Sequence, residues 1–88
     1  MKIETSKGKS LPINWIWGPM RTTGEVMIEL TDDRKLSEIA ADLEECDTIK
    51  KLDDQPSGKS ELYEGFTVLM AITRNKDTGA VQATLAKP

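Results

Sequence analysis

Only one stretch of this chain, Asp33 to Cys46, reads as a helix, and strand-like segments flank it on both sides. Within it Leu36, Ile39, Ala40 and Leu43 recur at i, i+3, i+4 and i+7, the spacing of a single buried helical stripe. Glu38, Asp42, Glu44 and Glu45 fall on the opposite face. The helix is therefore expected to bury its apolar stripe against sheet and to display its carboxylates to solvent.

The remaining segments alternate as strands do. Lys2 to Ser6 and Leu11 to Trp17 form an expected first hairpin through Lys7-Gly8-Lys9. A period of two puts Leu11, Ile13, Trp15 and Trp17 on one face, with Trp15 in the core, and turns Asn14 and Ile16 the other way. Pro12 cannot donate to a ladder, which places it on an edge strand or at a bulge. Gly18-Pro19 ends the strand, and Met20 to Thr23 forms a loop. Gly24 to Leu30 is a third strand with Val26, Ile28 and Leu30 inward, and Thr31-Asp32-Asp33 supplies helix-capping oxygens.

After the helix, Thr48 to Leu52 is a short strand with Ile49 as its core residue. Residues 53–60 form a breaker-rich polar loop, expected to be mobile. Glu61 to Arg74 is the longest strand pattern, with Phe66, Val68, Met70 and Ile72 on one face and Gly65 as a bulge. Asn75 to Gly79 is a tight hairpin loop, and Ala80 to Lys87 returns with Val81, Ala83 and Leu85 inward. The expected fold is α+β and β-rich, a single compact domain over residues 1–88. It comprises a mainly antiparallel twisted sheet or small open barrel with one amphipathic helix, in the order β-β-β-α-β-β-β.

An 88-residue chain has a small core and little stability in reserve, so self-association through edge strands is one expected outcome. Its single cysteine, Cys46, excludes an internal disulfide framework and a Cys-based zinc site within one chain. No basic-then-apolar leader or membrane-length apolar run is present, which leads us to expect a cytoplasmic protein, or one assembled there, without membrane contact. The net charge of −3 is unevenly spread: from Glu29 to Asp54, ten acids and four bases leave −6, and the rest of the chain is positive. Phosphate repulsion by that stretch argues against direct nucleic-acid binding.

The chemistry that would mark an enzyme is missing from the residues. There is no histidine, hence no Ser-His or Cys-His nucleophile pair and no commonest general base. Gly8-Lys9-Ser10 and Gly58-Lys59-Ser60 lack the upstream glycine of a phosphate-binding loop, where Ile3 and Asp53 stand instead. Asp32-Asp33 lacks the spacing of a calcium loop, and helix capping accounts for it. Glu38, Asp42 and Glu45 share a helical face without an opposing ligand set. We expect no catalysis, no metal and no cofactor.

Two surfaces remain as candidates for protein contact. Asn14-Trp-Ile-Trp-Gly-Pro-Met-Arg21 combines the residue types enriched at interfaces, with Trp17, Met20 and Arg21 best placed for exposure. The other is the acidic helix face of Glu38, Asp42, Glu44 and Glu45. Glu44 and Glu45 lie at the negative end of the helix dipole, at a cost of about 0.3–1 kcal/mol each, which hints at an external use.

The segments Met1-Lys-Ile-Glu-Thr-Ser-Lys-Gly-Lys9, Leu36-Ser-Glu-Ile-Ala-Ala-Asp-Leu-Glu44 and Tyr63-Glu-Gly-Phe-Thr67, in this order, resemble small uncharacterised proteins encoded by phages and prophages of Gram-positive bacteria. The resemblance implies a context without a catalytic signature: a small virion or tail-assembly component, or an accessory protein, in the host cytoplasm or the virion. The leading expectation is a non-catalytic module that binds a protein partner. One alternative is an anti-CRISPR-type inhibitor of a host defence nuclease, whose acidic helix face mimics nucleic acid. A second is a small-nucleotide binder that uses an exposed tryptophan.

Overall fold

The computed structural model describes residues 1–5, 8–44, 46–50 and 64–88, with the side chains of 5 and 46–50 left aside. Its elements are β1 (Lys2–Thr5), β2 (Ser10–Pro12), β3 (Trp15–Trp17), β4 (Val26–Leu30), α1 (Leu36–Leu43), β5 (Cys46–Lys50), β6 (Val68–Arg74) and β7 (Val81–Ala86). Every strand pairing among the described residues is antiparallel. One sheet has the order β2-β1-β5 and the other β3-β4-β7-β6. The fold is thus α+β with open antiparallel sheets, as expected, and one helix among the described residues. The polar loop at 53–60 and the residues Glu45, Leu52 and Glu61 to Tyr63 lie outside the described residues.

The expected second strand is divided into two. Neighbouring residues donate to different sheets: the Ile13 N–H bonds the Met1 carbonyl at 2.9 Å, and the Asn14 N–H bonds the Glu29 carbonyl at 2.7 Å. Asn14 Nδ2 holds this corner by donating to Glu29 Oε1 and Thr31 Oγ1. The crossing breaks the alternation. Leu11 and Ile13 stay buried, but past the corner Ile16 packs on the core, Trp15 is half-buried and Trp17 is exposed. The expectation of Trp15 in the core and Ile16 outside is corrected accordingly. Pro12 sits at the end of β2, an outer strand, where its missing N–H breaks no ladder.

A second phase change occurs in β6. Leu69 faces Leu85 and Ala71 faces Thr84, which leaves Met70 as an extra residue, a β-bulge. The bulge therefore lies at Met70. Leu69 and Ile72 pack against the core, whereas Val68 and Met70, expected inside, are exposed. By contrast Val26, Ile28 and Leu30 in β4 and Val81, Ala83 and Leu85 in β7 are buried as their alternation predicts.

The helix is shorter than its periodicity suggests. Lys35 caps it without a side-chain bond, while the Asp32 carboxylate accepts the Arg34 N–H at 2.9 Å in a turn that competes with helical bonding. At the other end Glu44 N–H closes on the Ala40 carbonyl, and Cys46 already opens β5. Ile39 and Leu43 are fully buried, Leu36 packs beside them, and α1 rests on β6. One core results, with Ile3 and Leu11 from the first sheet meeting Ile28, Leu30 and Leu85 from the second. No helix among the described residues is long and apolar enough to cross a membrane.

Candidate functional site

The connection from β3 to β4 carries the first candidate surface. Gly18 starts it with φ +121°, and a Cβ there would come within 2.8 Å of the Glu25 carbonyl oxygen, so only glycine fits. Backbone bonds brace the loop beyond Pro19. The Met20 N–H bonds the Glu25 carbonyl at 2.9 Å, and the Gly24 N–H bonds the Met20 carbonyl at 2.8 Å. Thr23 Oγ1 accepts the Glu25 N–H at 3.3 Å and donates towards Met20 Sδ at 3.5 Å.

The braced loop and the end of β3 enclose a groove of about 520 Å³, lined by Ile16, Trp17, Gly18, Pro19, Met20, Arg21 and Thr22. The three residues singled out in this stretch are thereby brought together. Met20 is partly buried and anchored, Arg21 is exposed, and Trp17 remains 59% exposed. An indole this open leaves much of its apolar area in water, and among the described residues that line the groove none is a carboxylate. Trp17 lies opposite Met27, and the same row continues through Thr84 to Ala71 across the outer face of the sheet.

The acidic helix face is dispersed rather than gathered. Glu38 and Glu44 are exposed, Glu45 lies outside the described residues, and Asp42 turns inward with its side chain only 8% exposed. Asp42 follows Ile39 by three residues, about 60° away around the helix, close enough to the stripe to be drawn under cover. Its Oδ1 takes the Lys9 ammonium at 3.0 Å and its Oδ2 the Arg34 guanidinium at 2.7 Å. Arg34 also binds Asp32 at 2.9 Å. Arg74 completes the cluster, donating to the carbonyls of Asp32 (2.8 Å), Arg34 (2.7 Å) and Gly79 (3.1 Å).

Burial pushes the Asp42 carboxyl up, but the bonds from Arg34 and Lys9 outweigh it and hold the group below the usual carboxylate range. The Asp32 carboxyl is lowered chiefly by its bond to Arg34. Arg34 is in turn raised, first by Asp32 and then by Asp42. One guanidinium thus bridges the two carboxylates. No described buried side-chain polar atom lacks a partner. The cluster ties the first hairpin, the helix and β6 together, and Lys9, Arg34 and Arg74 were not foreseen as members of it. No local pattern announces a contact 33 or 40 residues away in sequence.

No family model, curated protein or solved structure matches this chain.

Proposed function

We propose that this protein is a non-catalytic module that binds a protein partner through the groove at the end of β3. The observation that carries the reading is Trp17, 59% exposed beside Met20 and Arg21 on a loop whose own bonds hold it in shape. Tryptophan and arginine are the side chains most often responsible for interface energy, and preformed geometry lowers the ordering cost of binding. The whole-chain resemblance to phage- and prophage-encoded proteins favours a partner in a virion, a tail assembly or the infected host. Inhibition of a nuclease by acidic mimicry loses support, because Asp42 is covered and neutralised by two bases.

Site-specific photocrosslinking tests this. A benzophenone side chain at Thr22, in the groove wall, is expected to capture one discrete protein in cells of the encoding host. The same group at Lys76, on the hairpin between β6 and β7, is expected to capture none. Adding Trp17→Ala should remove the adduct while leaving the folded state intact. No adduct from position 22, or an adduct indifferent to Trp17, would overturn the reading.

A further inference from the structure

β3 is an outer strand, and among the described residues no strand pairs with its free side. The groove begins where β3 ends, so a segment laid along Trp15–Trp17 continues over the Trp17 indole towards Arg21. Arg21 is exposed, and among the described residues no carboxylate pairs with it. Its surroundings are unusual for this chain. Acids outnumber bases 15 to 12, yet the described residues that line the groove include one cation and no anion.

We propose, resting on the protein-contact reading above, that the groove takes an extended segment of a partner protein as an added antiparallel strand on β3. An apolar side chain of that segment stacks on Trp17, and a carboxylate within a few residues of it pairs with Arg21. Strand addition draws affinity from the free backbone groups of an edge and selectivity from side chains set in adjoining pockets. A paired guanidinium and carboxylate adds a charge-assisted bond.

Two other occupants fit less well. A small anionic ligand needs a site that buries most of its surface, and a wall whose indole is 59% exposed does not provide one. A second copy of the chain, paired antiparallel about Ile16, would set its residues 11–14 against Gly18 to Arg21. That stretch, Leu-Pro-Ile-Asn, has no acid to offer.

The test is selection of the intact protein against a displayed library of random twelve-residue peptides. Enriched peptides are expected to share an acidic residue within three positions of an aromatic or aliphatic one. Affinity should fall about tenfold or more with Trp17→Ala and with Arg21→Glu. Peptides with Lys in place of the acid should prefer the Arg21→Glu protein. Bound peptide should also slow hydrogen exchange at the amides of residues 15–17. Absence of enriched peptides, indifference to Arg21→Glu, or unprotected β3 amides would overturn the proposal. So would a Trp17-dependent dimer by light scattering, or displacement of peptide by ATP. An adduct from position 22 alongside any of these would leave protein contact standing and remove only the strand-and-carboxylate mode.

Discussion

The cluster around Asp42 and the groove beside Trp17 treat their strongest chemical groups in opposite ways. In the cluster Asp32 and Asp42 are bound by cations, and Arg74 bonds three carbonyls from two connections of the fold. In the groove a large indole and a guanidinium are left open beside a loop that its own backbone bonds brace. Charge that is buried must be paired, because an unpaired carboxylate out of water costs several kcal/mol. Aromatic area on the surface carries no such compulsion, and covering it releases free energy. The cluster is architecture, and the groove is capacity.

The contrast is broken most severely by removing the shared cation. Arg34→Ala leaves Asp42 under cover with Lys9 alone and frees Asp32, and is expected to destabilise by about 2–3 kcal/mol in urea unfolding. The value sits below that of a fully buried pair because Arg34 is itself 39% exposed. Gly18→Ala comes next, at about 1–3 kcal/mol, since it forces a side chain into a positive-φ position 2.8 Å from a carbonyl. Its crosslinking from position 22 should fall as well, because the loop that sets Arg21 beside Trp17 must shift.

Acid titration sharpens the comparison further. Asp32 and Asp42 have folded-state values below their ordinary 3.8, so their stabilisation is present above that pH and disappears as pH falls through the lower folded values. Unfolding followed by circular dichroism should show this loss below about pH 4, with a smaller acid loss in Arg34→Ala. The peptide binding proposed for the groove involves neither aspartate and should follow the folded fraction alone. The smallest effect belongs to Glu44→Lys. It should change stability by less than about 1 kcal/mol, in the stabilising direction, because it places a cation at the helix C-terminus. It should also leave crosslinking from position 22 unchanged.

The same contrast marks what could be read from the chain. Residues that obey a single period over an uninterrupted element were legible: Val26, Ile28 and Leu30, then Val81, Ala83 and Leu85, then Ile39 and Leu43. That Trp17, Met20 and Arg21 would lie close together was legible from their nearness along the chain, and the structure places all three in one groove. The faces of Trp15, Ile16, Val68 and Met70 were not. Each lies beside a break in phase, one at the Ile13–Asn14 corner and one at the Met70 bulge, and a one-residue offset reverses inside and outside. Asp42 is not on the solvent side that its spacing suggests, because that spacing leaves it beside the stripe, and distant Lys9 joins Arg34 in drawing it under cover.

By itself, then, the sequence determined the element types, the antiparallel β-rich class and the position of the helix α1. Those depend on local periods, turn chemistry and proline geometry, which act over a few residues. Only the tertiary structure decided that one expected strand serves two sheets, that Met70 points out, that Asp42 is paired with two bases, and that Trp17 and Arg21 share a groove. Each of those outcomes depends on a partner brought close by folding. The cost of burying charge and the register of neighbouring strands then choose among faces that the local pattern leaves equivalent.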